Sequence, residues 1–224
     1  MTRSQGKASP PLAVGTDLGI AVRQDGAWRT LLGGPAHNRV TAVAVTPDGS
    51  VWFGFGTDSP GSGGGGVTRF DPSTSPSADG GRWYYSLDDA HVRVLAVAPD
   101  GALWAGVGCG VQRLDAPAQR DTHGDPADGA WQEMAVCGDL GKGNVLDFAF
   151  ELDGEVWVAT GMSLARWHEG TWQLFDKMVH SVAVAPNGTV WASGWEGTQG
   201  SHYVARYDGS AWTTAFDGNL TSLG

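Results

Sequence analysis

Val94–Asp115 reads VLAVAPDGALWAGVGCGVQRLD. Apolar residues alternate through Val94–Val97, and Asp100-Gly101 supplies the positive φ angles of a tight hairpin turn. A second run carries Trp104, a stretch of small residues follows, and a third run opens at Val111. The same phrase recurs as VTAVAVTPDGSVWFGF over Val40–Phe55, VLDFAFELDGEVWVAT over Val145–Thr160 and VHSVAVAPNGTVWASG over Val179–Gly194. Counted from Arg39, His91, Asn144 and Met178, the copies lie 52, 53 and 34 residues apart. A unit this small cannot bury two faces of its own, so it must stack on copies of itself.

The flanks complete the count. Leu12–Leu32 (LAVGTDLGIAVRQDGAWRTLL) matches the last three strands of the unit, with Ala13 where the other copies have tryptophan. Trp28, Trp83, Trp131, Trp172 and Trp212 each begin an outer strand, giving five units. Asn219–Gly224 matches Arg39–Ala44, a first strand with no second strand after it. The expectation is an all-β, five-bladed β-propeller closed by one C-terminal plus three N-terminal strands. Residues 1–11 read as a flexible lead and 12–224 as a single domain. Closure of this kind leaves no free sheet edge.

Composition agrees. The 224 residues include 35 Gly and 11 Trp, with 17% charged residues, which suits short strands joined by tight turns. The formal charge of −10 and the lack of a basic stripe exclude nucleic acid as a partner. No apolar run approaches the roughly 18 residues of a membrane span. The N-terminal MTRSQGKASPP has no apolar segment after its basic residues, so a cytoplasmic, monomeric protein is expected. Cys109 and Cys137 are assigned to strand positions two apart, and free thiols are expected.

Several motifs match by letter only. Gly61–Gly66 fits a dinucleotide fingerprint but lies between two strands rather than before a helix. Asp121-x-His123-x-Asp125 resembles a calcium loop, yet Pro126 stands where the turn glycine belongs. Asn187-Gly-Thr189 is a sequon whose asparagine is already explained as a turn residue. The tryptophans at fixed strand positions read as packing between blades. Trp195 falls outside that register and is a candidate for ligand contact.

The pattern V-x-x-V-A-V-x-P-D-G-x-V/L-W followed by G-V-x-R resembles the short propeller repeats of two-component-regulator sensor regions. It is also similar to the repeats of virginiamycin B lyase. The resemblance covers nearly all of residues 12–224, although those relatives usually have more blades. The first family implies sensing or ligand binding. The second implies axial histidines acting with a divalent cation, and His91 and His180 are the nearest counterparts here.

One edge of the unit, the top, carries the links between units and the turn from second to third strand. There the copies diverge. Arg39, His91, Arg93, Asn144 and His180 gather at the starts of the inner strands, where packing would favour one repeated solution. The expectation is a top mouth that binds a small polar or anionic molecule, a glycan or a peptide, with Arg39, His91, Arg93, Asn144, His180 and Trp195 as ligand contacts. A metal-assisted lyase or hydrolase using His91 and His180 is the second reading, and a protein-interaction scaffold the third. No cofactor is read from the residues; a divalent cation enters through the resemblance alone.

Overall fold

The structure, a computed structural model, describes residues 12–16, 19–24, 27–30, 37, 39–56, 65–71, 82–88, 90–115, 131–196 and 201–218. These form five antiparallel sheets in chain order. The first has three strands, β1 (Leu12–Thr16), β2 (Gly19–Gln24) and β3 (Ala27–Thr30). The second contains β4 (Val40–Val45), β5 (Val51–Phe55), β6 (Gly66–Asp71) and β7 (Arg82–Ser86). The third contains β8 (Val92–Val97), β9 (Leu103–Val107), β10 (Gly110–Leu114) and β11 (Gln132–Ala135). The fourth is β12 (Gly143–Phe150), β13 (Val156–Gly161), β14 (Leu164–His168) and β15 (Thr171–Phe175). The fifth is β16 (Val179–Val184), β17 (Val190–Glu196), β18 (Ser201–Tyr207) and β19 (Trp212–Gly218). Each four-stranded sheet is a meander, and the inner strands β4, β8, β12 and β16 lie beside one another in that order. Among the described residues no helix is long and apolar enough to cross a membrane.

The turn at the lower edge explains the repeat. Thr46 N–H bonds Ser50 O at 3.0 Å and Gly49 N–H returns to Thr46 O at 2.9 Å; 98–102, 151–155 and 185–189 repeat this pattern. The glycine alone takes positive φ, +85° at Gly49 and +85° at Gly101. The aspartate before it instead caps the loop with its carboxylate, as Asp48 does for Ser50 N–H at 3.1 Å. The hairpin is therefore a three-residue loop with a glycine bulge rather than a two-residue turn with both residues at positive φ.

Above each turn, the second-strand tryptophan faces an arginine on the third strand: Trp52 with Arg69, Trp104 with Arg113, Trp157 with Arg166 and Trp191 with Arg206. In the second, third and fourth sheets the guanidinium lies over the indole at 5.4, 5.9 and 5.4 Å. It also reaches an acid of the turn region: Asp48 at 3.0 Å, Asp100 at 3.1 Å, and Glu155. Burial alone would raise Asp48, but hydrogen bonds from Thr46 and Ser50 and the Arg69 charge outweigh it and hold the carboxyl below its ordinary range.

The packing expected of the recurring tryptophans holds in the middle of the molecule. Trp52, Trp104 and Trp157 are buried. Outer-strand Trp131 meets Trp52 edge-on at 6.3 Å, and Trp212 meets Trp157 edge-on at 5.8 Å. Trp28 and Trp191 depart from it, being 51% and 36% exposed.

The cysteine expectation is overturned. Cys109 and Cys137 form a disulfide with Cα atoms 4.9 Å apart. The turn before β10 is so short that Cys109 sits at the head of that strand, and β11 is its direct neighbour. Val111 pairs with Ala135, and two residues further along each strand lie the two cysteines, facing across one strand spacing rather than two. The bridge closes a loop with a sequence separation of 28, worth about 3.6 kcal/mol on a chain-entropy account. The glycine-rich loop, the calcium-like loop and the segment Asn219–Gly224 lie outside the described residues.

Candidate functional site

At the top edge each of the four described inner strands breaks register at the same place. The shift falls between Val40 and Ala42, Val92 and Val94, Gly143 and Asp147, and Val179 and Ser181. The bulged residues are thus Thr41, Arg93, the 144–146 segment and His180. A bulge leaves one residue unpaired and turns its side chain, and bulges recur beside functional sites.

What fills each bulge differs. Thr41 donates its hydroxyl to Gly54 O at 3.0 Å and to Val92 O at 2.6 Å, stitching the second sheet to the third. The backbone N–H of Val182, just past the fifth-sheet bulge, donates to Asp147 at 3.0 Å, and Ser181 Oγ donates to the same carboxylate at 2.6 Å. These two bulges join neighbouring sheets. Arg93 is exposed and makes no ion pair among the described residues. His180 is half-buried and meets Trp195 edge-on with ring centroids 4.0 Å apart. Trp195 donates its indole N–H to Met178 Sδ at 2.8 Å, and Tyr203 donates its hydroxyl to Met178 O at 3.0 Å.

Of the six residues expected at the mouth, His180 and Trp195 are brought into contact. Arg39, Arg93 and Asn144 are exposed at the starts of the second, third and fourth inner strands. His91 is half-buried, its imidazole against Gly56, where an added Cβ would lie 3.1 Å from its Cε1. His91 and His180, paired in the lyase reading, stand on the third and fifth sheets with the fourth between them in the sequence of sheets.

The lower edge holds a site that the sequence reading missed. A cleft of about 230 Å³ opens between the third and fourth sheets, walled by Trp104, Met134, Phe150, Leu152 and Trp167. Its polar lining includes Arg113, Glu151 and Glu155. Glu151, Asp153 and Glu155 bring carboxylate oxygens within 4.8 Å of one another. Burial raises Glu151 above the ordinary carboxyl range; the Trp157 N–H bond opposes this and the charges of Glu155 and Asp153 add to it. A signal was present in the sequence: each second-strand tryptophan has a partner position six residues earlier, and those positions are not equivalent.

No protein-family model matches the chain, and no curated protein matches it. Solved structures do. The YCF48 structure with bound D1 peptide aligns with TM-score 0.53 at 16% identity, over 89% of this chain and 61% of that one. The extracellular domain assigned to the hybrid two-component system BT4673 of B. thetaiotaomicron aligns with TM-score 0.60 at 16% identity, over 92% and 26%. The luciferin-regenerating enzyme aligns with TM-score 0.57 at 16% identity, over 95% and 78%. The chain spans less than two thirds of the first two proteins. At these identities the likeness concerns architecture, and with the five meanders it shows an all-β chain of the propeller type.

Proposed function

We propose that the chain is a binding or sensing module that takes a small polar or anionic ligand, or a glycan or peptide bearing such a group, at the top edge of its inner strands. The observation that carries this is the repeated bulge. Where the bulge serves packing, at Thr41, the side chain is bonded into the next sheet. At Arg93 the same backbone device presents a guanidinium that no ion pair among the described residues engages, and at His180, whose bulge also joins two sheets, it sets an imidazole beside Trp195. An unneutralised guanidinium on the edge of an acidic protein forms a local positive focus. The peptide on YCF48 and the two-component origin of BT4673 belong to those proteins; they agree with a binding role here.

Arg93→Ala should leave the thermal midpoint nearly unmoved, as surface changes within about 0.5 kcal/mol do, whereas His180→Ala should lower stability by about 0.5–1.5 kcal/mol for its lost contact with Trp195. The same variants should weaken any response to a panel of inorganic phosphate, citrate and acidic peptides read by thermal shift. A fall in midpoint with an unchanged panel response would make both residues structural.

The ring we propose is five-bladed, with Asn219–Gly224 as the inner strand of the first sheet. Its support is the packing of Trp131 on Trp52 and of Trp212 on Trp157 across neighbouring sheets, a relation that in a closed ring sets Trp28 on Trp191. A double-mutant cycle on Trp28 and Trp191 should give a coupling of about 0.5–1.5 kcal/mol, as other aromatic pairs do. Zero coupling would count against closure. The Cys109–Cys137 bridge supports an oxidising surrounding over the cytoplasm expected from the N-terminus, since such bridges persist there. Recovery of the bridge in protein alkylated at harvest from its native compartment tests this.

A further inference from the structure

The fifth sheet departs from the repeat at three positions, and the fold brings those three side chains together. Four residues after the second-strand tryptophan, the other sheets have Gly56, Gly108 and Gly161; the fifth has Trp195. At the start of the inner strand, Arg39, His91 and Asn144 give way to Met178. At the bulge, Thr41, Arg93 and Leu146 give way to His180. Met178 Sδ accepts the Trp195 indole N–H at 2.8 Å, and the His180 ring meets the same indole with centroids 4.0 Å apart. A thioether and an imidazole thus share one aromatic ring at the top of the fifth sheet.

The backbone beneath them is held in place. Met178 O accepts the Tyr203 hydroxyl at 3.0 Å, and an added Cβ at Gly194 would collide with that carbonyl. The cluster is no part of the core, since Met178 is 40% exposed and Trp195 38%. Among the described residues, neither ring nitrogen of His180 has a hydrogen-bond or ion-pair partner.

We propose that Met178 and His180 form, beside Trp195, a binding site for one soft monovalent metal ion, copper(I) or its analogue silver(I). Thioether sulfur selects copper(I), and copper is also among the metals that imidazole suits. Calcium, magnesium and manganese take oxygen ligands, and the carboxylate cluster among the described residues stands at the lower edge, at Glu151, Asp153 and Glu155. Zinc sites take three or four protein ligands of nitrogen, thiolate or carboxylate, and one imidazole falls short of that. The indole N–H engages one lone pair of Sδ and so orients the sulfur, while the indole ring attracts a cation near it. No thiolate competes for a soft ion, because both cysteines of the chain are tied in the bridge. This site does not rest on the anion reading above, with which it shares His180.

The experiment is a silver nitrate titration of the whole chain, unreduced and in chloride-free buffer, followed by the methionine ε-methyl resonances. The chain has four methionines, and Met134→Leu and Met162→Leu help to assign them. The Met178 resonance should move and saturate at one equivalent. Met178→Leu, a change that nearly conserves volume, should weaken silver binding about tenfold or more. His180→Phe keeps a ring beside Trp195 but removes the nitrogens, and a similar loss is expected. If either variant does not fold, the methyl shift in the unaltered chain still decides, since it reports the sulfur directly. Zinc sulfate should leave the Met178 resonance in place. Arg93→Ala should bind silver as the unaltered chain does, and silver should bind even where phosphate, citrate and acidic peptides give no response, so the two sites fail separately. Four outcomes would overturn the proposal: no saturable methyl shift, a shift confined to another methionine, a Met178 shift that zinc reproduces, or a silver affinity that survives both Met178→Leu and His180→Phe.

Discussion

Replacing Trp157 by alanine should lower the unfolding free energy by about 3–5 kcal/mol, the range for large aromatic-to-alanine changes in a close-packed core. For a chain of this size that is a fall in midpoint on the order of 10 °C. Trp157 is fully buried. Its ring meets Phe175 at 5.3 Å within the fourth sheet, and Tyr207 at 5.4 Å and Trp212 at 5.8 Å in the fifth. Arg166 lies over it at 5.4 Å. Alanine would therefore empty a space shared by two sheets, and neither can relax into it without breaking its own ladder. The change also strips Glu151 of the indole donor at 2.7 Å, so a carboxyl already raised by burial loses a bond that lowers it. Guanidinium denaturation checks the figure. A loss below about 1 kcal/mol would contradict the packing of these two sheets.

Much of this architecture was legible because period-two alternation and the Asp-Gly or Asn-Gly step act locally. β8, β9 and β10 lie where Val94–Asp115 placed them, and the three N-terminal strands match the last three of the repeat. What the sequence hid depends on distances across strands. Cys109 lies in the turn between β9 and β10, and counting strand positions from β9 sets it two from β11, whereas the turn is shared with β10, the direct neighbour of β11. The bulges at Thr41, Arg93 and His180 leave no mark in the alternation, since a polar residue after an apolar one reads as an ordinary outward-facing strand position. The top-edge residues were found by their irregularity, yet irregularity does not separate a Thr41 that bonds to the next sheet from an Arg93 that does not. The cleft was hidden for a different reason. Its walls come from two sheets, Trp104 and Met134 on one side and Phe150 and Trp167 on the other, and no local pattern marks where they meet.

Removing one partner of the Arg166–Glu155 pair should cost about as much as emptying the Trp157 site. The two side chains are 17% and 10% exposed, the guanidinium bonds Glu155 through both Nε and Nη2, and it is flanked by the rings of Trp157 at 5.4 Å and Tyr207 at 6.0 Å. Glu155→Ala would strand a cation among aromatic faces with little water, a loss of about 3–5 kcal/mol for such pairs. Replacing both partners together, as Glu155→Met with Arg166→Leu, should return most of that loss, because the cost lies in the uncompensated charge rather than in the missing attraction. The corresponding arginine in the third sheet provides the comparison, although its acids stand at other positions of the repeat: Ala102 occupies the place of Glu155. Arg113 is 23% exposed, and its acids Asp100 and Asp115 are 58% and 57% exposed, so water already screens all three. Asp100→Ala should accordingly cost about 1 kcal/mol or less. The same Trp-facing arginine would then be worth very different amounts in adjacent sheets, graded by the burial of the acid it meets. Equal losses for Glu155→Ala and Asp100→Ala would show that the repeat, rather than the local solvent, sets the energy of the pair.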